Sequence, residues 1–145
     1  MQASNDNTMK LWGFLMAGWL LLATSSAFAE ERNDMLDAAS IPNGHTLSMV
    51  CATCHTFDKG GPVESGPNLF GIMGANHARE PKFPYSQALK QMKKKIWTVD
   101  AMDAWLKQPN AYAPGTSMRF GGLLDPQDRA DLIAYLRTLN DPLKK

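Results

Sequence analysis

The pentapeptide Cys-Ala-Thr-Cys-His at residues 51–55 constrains the fold of this chain more than any other feature. C-x-x-C-H is the attachment signature of a c-type haem, in which two thiols add to the haem vinyl groups as thioethers. His55 follows Cys54 directly, so its imidazole can reach the iron from the same helical turn. We therefore predict one covalently bound haem, with Cys51, Cys54 and His55 as its attachment residues, and a fold built around that apolar ring.

Two other uses of a Cys-x-x-Cys pair fit this sequence poorly. A thioredoxin-like redox pair lies beside a βαβ pattern, and no such pattern follows residue 55. A structural zinc site needs four ligands at paired spacing, whereas Cys51 and Cys54 are the only cysteines of the chain. Haem attachment is the interpretation that the motif favours.

The first 29 residues have the pattern of a secretory signal peptide. Lys10 precedes an apolar run over residues 11–23, and Ala-Phe-Ala at 27–29 matches an A-x-A cleavage site. The apolar run is shorter than the ~20 residues that a membrane span needs, although an uncleaved N-terminal anchor, lengthened by residues 24–28, is the competing interpretation. We predict export to the periplasm, an oxidising compartment in which free thiols would otherwise be at risk.

Removal of the signal peptide at 1–29 leaves enough chain for one small domain. We place this domain at residues 41–145, after a polar and loosely ordered lead-in at residues 30–40. The balance of 15 basic and 14 acidic residues gives no case for a nucleic-acid partner. Four lysines between residues 90 and 95 are interpreted as a solvated helix end rather than as a partner or propionate patch. We expect a monomer without a membrane span once the signal peptide is removed.

The first half of the domain predicts one helix, a long loop and a short helix. Pro42 fits the first turn of a helix that runs into the C-x-x-C-H motif, with Leu47 and Val50 as its apolar face. Residues 56–82 hold several glycines and prolines without a sustained period, which predicts a loop. A short helix is expected over residues 86–94.

The second half predicts two further helices. Thr98 is a plausible N-cap for one of them, and Pro109 interrupts its pattern. Asp125 caps the last helix and Pro126 takes its first position; its apolar residues recur at helical spacing at Leu132, Ile133, Leu136 and Leu139. These elements make the chain all-α. Because they leave too little core of their own, we expect the haem to fill the centre.

The second axial position of the iron decides between electron transfer and ligand binding. Candidate ligands are two histidines and the methionines of the mature chain, at His45 and His77 and at positions 35, 49, 73, 92, 102 and 118. Met92 and Met102 fall at apolar helical positions, which favours a place in the core. Met118 lies in a loop stiffened by proline and glycine, so it is our preferred ligand. His77 is its rival, although a lone loop histidine is expected to be exposed to solvent.

Further motifs follow the pentapeptide in a fixed order. They are Gly-Pro-Asn-Leu-Phe-Gly at 66–71, Phe-Pro-Tyr-Ser at 83–86, Trp97, Pro-Gly-Thr-Ser-Met-Arg-Phe at 114–120 and Asp-Leu-Ile-Ala-Tyr-Leu at 131–136. In order and approximate spacing this set resembles a class I cytochrome c of the mitochondrial-like kind. The resemblance runs from Pro42 to Leu139. It implies the cytochrome c fold, in which helices and long loops wrap around one covalently bound haem.

The resemblance also implies a role for each matching residue. Cys51 and Cys54 would carry the thioethers, His55 would be the proximal ligand and Met118 the distal one. The carbonyl of Pro67 would orient the imidazole of His55, as second-shell partners of ligating histidines do. Tyr85 and Trp97 would donate hydrogen bonds to a buried haem propionate. Phe120 would pack beside the exposed haem edge. Leu47 would meet Leu132 and Tyr135 where the first and last helices cross.

The chain departs from the family at several places. Ala75 stands where the family usually has an arginine near the propionate, and Trp105 replaces a tyrosine near the distal sulfur. The lysines around the haem edge of mitochondrial cytochrome c are largely missing; the matching residues are Val50, Asn110, Ala111, Ser117, Leu124 and Asp125. Docking steered by many lysines is therefore not expected.

The function implied by the resemblance is that of a soluble monohaem electron carrier whose iron, ligated by His55 and Met118, cycles between Fe(II) and Fe(III). Its redox protein partners would be a dehydrogenase or cytochrome reductase as donor and an oxidase or other reductase as acceptor. We expect no enzymatic activity. Two alternatives stay open: a dedicated electron-acceptor subunit of a periplasmic dehydrogenase, and a haem peroxidase or gas sensor with a labile Met118 bond.

Overall fold

The computed structural model describes residues 33–140, so the predicted signal peptide at 1–29 lies outside the described residues. The chain divides into two compact units, Met1–Asp37 and Ala38–Lys145. Residues 33–37, which belong to the predicted lead-in at 30–40, are helical. Between residues 33 and 140, no helix has the length and apolar character needed to cross a bilayer.

Helix α1, Ile41–Cys51, begins where the sequence predicts and ends at the first cysteine. The side chain of Ser40 caps it by accepting a hydrogen bond from the amide of Asn43 at 3.2 Å. Its buried residues are Gly44 and Ser48, whereas Val50 is 62% exposed. Val50, which the sequence assigns with Leu47 to the apolar face of this helix, therefore lies outside its buried face. Small residues line that face because a neighbouring backbone comes very close to it.

That neighbour is the last helix of the fold, which supplies much of the core. Within residues 38–140, five helices, α1 to α5, follow one another, and α5 spans Pro126–Thr138. Asp125 caps α5 as predicted, since its carboxylate accepts from the amide of Gln127 at 2.7 Å. The side chains of Leu132 and Ile133 are each 1% exposed. A Cβ atom on Gly44 would lie 2.0 Å from the carbonyl oxygen of Asp131, so α1 and α5 cross at this glycine.

The crossing of α1 and α5 also contains a buried carboxylate. Asp131 is 4% exposed and accepts hydrogen bonds from the amide of Ser40 at 2.8 Å, the side chain of Asn43 at 2.7 Å and the side chain of Gln127 at 2.9 Å. Burial alone would raise the pKa of Asp131, but these three donors stabilise the charged form and lower its pKa below the ordinary value. The carboxylate thus joins the start of α1 to α5.

Three shorter helices lie between these two. They are α2 at Gln87–Gln91, α3 at Val99–Lys107 and α4 at Pro109–Tyr112. Thr98 caps α3 as predicted, accepting from the amide of Ala101 at 3.1 Å. Helix α4 was not predicted, because we took Pro109 only as the end of the preceding pattern, yet proline also favours the first turn of a new helix.

The two methionines predicted for the core differ in their burial. Met102, on α3, is 4% exposed and belongs to the core. Met92 caps the short helix α2 and is only half-buried, which corrects its assignment to the core. The lysines at 90, 93, 94 and 95 are all exposed around the end of α2, in agreement with a solvated helix end.

One arginine joins α3, α5 and the segment that leads into α5. Arg129 is 6% exposed and donates from Nε to the carboxylate of Asp103 at 2.6 Å. Its Nη1 atom donates to the carbonyls of Leu123 at 2.9 Å and Leu124 at 2.8 Å. These hydrogen bonds hold the buried guanidinium of Arg129 in place, because the loss of any of them would leave part of a buried charge without a partner.

The long loop at 56–82 forms without regular structure, as predicted. An isolated antiparallel bridge joins Asn76 to Ile96, and the part of the chain that the structure describes contains no strand. The all-α prediction is confirmed.

Candidate functional site

The C-x-x-C-H segment forms a tight turn at the end of α1. The carbonyl of Cys51 accepts from the amide of Cys54 at 3.0 Å and from the amide of His55 at 2.9 Å. Both thiols are free; that of Cys51 is half-buried and that of Cys54 is exposed. Burial raises the pKa of the Cys51 thiol. The turn therefore holds two cysteine side chains and an imidazole within five residues.

The ring of His55 is oriented by the loop that follows. Its Nδ1 atom lies 2.7 Å from the carbonyl oxygen of Pro67. Because a carbonyl can only accept, Nδ1 carries the proton and Nε2 keeps its lone pair. Burial lowers the pKa of His55, although the bond to Pro67 acts in the opposite direction. The lowered pKa favours the neutral imidazole, the form in which histidine binds a metal.

Gly66 lies against the same ring. A Cβ atom at this position would be 2.5 Å from Cε1 and 2.6 Å from Nδ1 of His55, too close for any side chain. Its amide donates to the carbonyl of Cys54 at 2.7 Å, which holds the loop against the C-x-x-C-H turn. Gly66 stands in the motif at 66–71, but the motif alone did not indicate this steric role.

Arg79 fixes the loop after Pro67 and was also missed by sequence reasoning. Its guanidinium donates to three backbone carbonyls, those of Gly71 at 2.6 Å, Asn68 at 3.2 Å and Phe70. Burial lowers the pKa of Arg79, while the neighbouring Tyr85 and Glu80 act in the opposite direction. The segment that carries the Pro67 carbonyl is therefore held from both sides.

Met118 lies in a loop whose two ends are fixed by backbone contacts. At its start, Ala113 to Thr116 form a turn with Gly115 at φ +85° and an amide-to-carbonyl distance of 3.0 Å. At its end, Gly122 has φ +96°, and a Cβ atom there would lie 2.1 Å from the carbonyl oxygen of Lys107. The side chains of Met118 and Phe120 are both half-buried.

Tyr85 and Trp97 occupy different surroundings. The hydroxyl of Tyr85 accepts from the amide of Glu80 at 3.3 Å, and burial raises its pKa. Trp97 is 6% exposed and stacks on His77, with ring centroids 3.7 Å apart.

His77 is not exposed, so the prediction of its exposure is wrong. It is 1% exposed, and both ring nitrogens have hydrogen-bond partners: Nδ1 faces the carbonyl of Lys95 at 2.9 Å and Nε2 the hydroxyl of Tyr112 at 2.9 Å. The glycine- and proline-rich loop around it suggested solvent, but two distant segments, at residues 95–97 and at Tyr112, contact the ring. With both nitrogens bonded, this histidine has no free lone pair for a metal.

These residues fit the group that the motif predicts. The turn offers two thiols for covalent attachment, and His55 is oriented by Pro67 in a space that Gly66 leaves open. Among the predicted site residues, the structure brings His55 and Pro67 into direct contact.

Comparison with known proteins identifies the family. The family model described as Cytochrome c matches residues 41–140. A cytochrome c homolog of Bradyrhizobium diazoefficiens is 38% identical over 118 residues, which are 81% of this chain and 64% of that protein. A cytochrome c of Sesamum indicum is 48% identical over 87 residues, 60% of this chain and 78% of that protein. The chain thus spans just under two thirds of its first bacterial relative.

A solved structure agrees with these relatives. Cytochrome cH from Methylobacterium extorquens aligns with a TM-score of 0.63 and 34% identity, covering 69% of this chain and 99% of that one. The alignment confirms the cytochrome c fold, and the family model extends over most of the chain. The protein therefore belongs to the cytochrome c family, whose single haem c is its cofactor.

Proposed function

We propose that this protein is an exported carrier of single electrons whose haem iron is ligated by His55 and Met118. The observation that carries the proposal is the 2.7 Å contact between Nδ1 of His55 and the carbonyl of Pro67, with Gly66 against the ring. This arrangement leaves the lone pair of Nε2 free and oriented to bind a metal. Orientation of that kind by an outer partner is typical of histidines that ligate metals.

The other predicted site residues take roles around this metal ligand. Cys51 and Cys54 would form the two thioethers and would hold the haem next to the end of α1. Met118 would be the second protein ligand of the iron, supplied from its tethered loop. As the family resemblance implies, Tyr85 and Trp97 would hydrogen-bond a haem propionate. Phe120 would cover the haem edge.

Haem c supplies the Fe(II)/Fe(III) couple when bound. His55 and Met118 would both bind the iron and would leave no site for peroxide or a gas, so catalysis is not part of the proposal. Thioether sulfur as the axial partner of imidazole raises the reduction potential. The bonds of Pro67, Gly66 and Arg79 hold the proximal loop in one arrangement, so that little rearrangement accompanies electron transfer.

The proposed setting is the periplasm, with 1–29 as signal peptide, 30–40 as lead-in and 41–145 as the haem domain. The signal pattern and the bacterial relatives support this location. The partners are redox proteins on either side of the carrier, a dehydrogenase or reductase as donor and an oxidase or other reductase as acceptor.

Two measurements test the proposal. The haem should resist acid–acetone extraction, because thioethers do not dissociate. The oxidised protein should show the weak near-infrared band of sulfur-to-iron ligation, and Met118→Ala should abolish it and admit carbon monoxide to the reduced iron. Met102→Ala is the matched control: it removes a buried methionine, costs about 2–5 kcal/mol of unfolding free energy and leaves the band intact.

The opposite result would favour another function. A wild-type protein that lacks the band and binds carbon monoxide rapidly has an open axial site, and the peroxidase or gas-sensor interpretation then replaces electron transfer.

A further inference from the structure

Four aromatic rings pack together next to the segment that carries Met118. We call His77, Trp97, Trp105 and Tyr112 the aromatic cluster. Trp97 stacks on His77 at 3.7 Å with an interplanar angle of 13°, and meets Trp105 edge-on at 5.5 Å. Tyr112 lies 5.9 Å from both His77 and Trp105. The cluster joins the loop before α2, the residue before the N-cap of α3, the second half of α3 and the end of α4.

The hydrogen bonds of His77 have a defined direction. The carbonyl of Lys95 can only accept, so Nδ1 of the neutral ring donates to it, and Nε2 must then accept from the hydroxyl of Tyr112. Burial lowers the pKa of His77, which favours this neutral form. The tyrosine hydroxyl is therefore tied to a ring that is itself fixed on its other side.

Tyr112 is the last residue of α4, and the Met118 loop begins at the next residue. Ala113 is 1% exposed and starts the turn that ends at Thr116, whose hydroxyl accepts from the amide of Met118 at 3.3 Å. A displacement of Tyr112 would thus pass directly into the turn before Met118. The far end of the loop is held separately, by the amide of Leu123 on the carbonyl of Leu106.

We propose that His77 is a positioning residue for Met118: through its hydrogen bond to Tyr112 it holds the start of the Met118 loop where the sulfur can ligate the iron. The inference rests on the proposed His/Met ligation. It gives His77 a place in the chemistry although it is not a ligand itself. The stack on Trp97 limits how far the imidazole can turn, so the bond to Tyr112 has one favoured geometry.

The proposal predicts how easily an added ligand displaces Met118. Imidazole binds the ferric iron only when the loop has released it, so its apparent affinity is proportional to the released fraction. Loss of one hydrogen bond between largely buried groups shifts such an equilibrium roughly two- to tenfold. Tyr112→Phe keeps the ring and removes only the hydroxyl, so imidazole should bind roughly two- to tenfold more tightly.

His77→Phe provides a second variant and a cycle. It keeps a ring against Trp97 but removes both hydrogen bonds, and it should raise the affinity for imidazole at least as much as Tyr112→Phe. The double variant should add little to His77→Phe, because the two residues act through one bond. If His77→Phe fails to fold, Tyr112→Phe decides the question alone.

Ile133→Val is the control for a purely structural effect. It removes one buried methyl group from α5, lowers stability and should leave the affinity for imidazole unchanged. An unchanged affinity in Tyr112→Phe, with the near-infrared band present in the wild type, would overturn the inference and leave the proposed function standing. Absence of the band in the wild type would instead count against the proposed function itself.

Discussion

At Gly66, the absence of a side chain decides where the ring of His55 can lie. The nearest ring atom would be 2.5 Å from a Cβ atom, a separation that real Cβ atoms do not show. Because the ring is also bonded to Pro67, it cannot move away without losing that contact. The glycine and the proline of one motif thus both act on the same imidazole, one by leaving room for the ring and the other by a hydrogen bond to Nδ1.

Gly66→Ala should therefore weaken the proximal side of the site. The added methyl group forces the ring or the loop to shift, which costs roughly 1–3 kcal/mol of unfolding free energy. Denaturant unfolding of the haem-bound protein measures this loss. Gly121→Ala is the control, since no atom lies within 4 Å of its Cβ position and its φ is outside the left-handed region. Equal stabilities of the two variants would contradict the steric role of Gly66.

At the scale of elements, the packing of α1 on α5 depends on one glycine and one carboxylate. Gly44 allows the helices to touch along their backbones, and Asp131 bonds the start of α1 to α5. The helix caps at Thr98 and Asp125 could be predicted because an N-cap is a contact between near neighbours. The packing face of α1 could not, since apolar spacing pointed to Val50 while the close crossing required small residues.

Gly44→Ala tests this crossing. Alanine is favoured over glycine in a helix by about 1 kcal/mol, but its methyl group would lie 2.0 Å from a backbone carbonyl oxygen that cannot rotate away. The two helices must separate, so we expect a net loss of roughly 1–3 kcal/mol of unfolding free energy. Met49→Ala, on the exposed side of α1 with 59% exposure, should change stability little. A stabilised Gly44→Ala protein would show that the crossing yields without cost.

At the scale of the whole molecule, the surface near the proposed haem edge carries little positive charge. Val50 and Leu124 are 62% and 82% exposed, and Asp125 adds a negative charge nearby. The concentrated lysines at 90–95 lie instead around the end of α2. Apolar contact is therefore expected to contribute more to docking than attraction between opposite charges.

Electron transfer with the natural partner should depend only weakly on salt. Steering by many exposed charges is screened beyond ~8–10 Å at moderate ionic strength, which lowers the association rate steeply. Stopped-flow rates across a series of salt concentrations measure the effect. A steep decrease between low and moderate salt would show that other cations, such as Lys93 to Lys95 or Arg119, steer the encounter.

The sequence by itself determined the features that depend on neighbouring residues. Haem attachment is encoded within five consecutive residues. The starts of α1, α3 and α5 are each set by an N-cap side chain that accepts from an amide no more than three residues further along the chain. The order of the motifs identified the family, and the family model and the solved relative confirm it. These features can be predicted from the sequence because the residues involved are close neighbours in the chain, so local backbone geometry alone brings them together.

Only the tertiary structure decided the contacts between distant segments. His77 meets Tyr112 across 35 positions, and Asn43 meets Asp131 across 88. Neither pair leaves a periodic trace, and His77 in particular was expected in solvent because its own segment is irregular. Whether such a polar group is buried depends on what the rest of the chain places over it. A polar group is stable in the interior only where the segments that bury it also supply its hydrogen-bond partners. That condition depends on the complete fold.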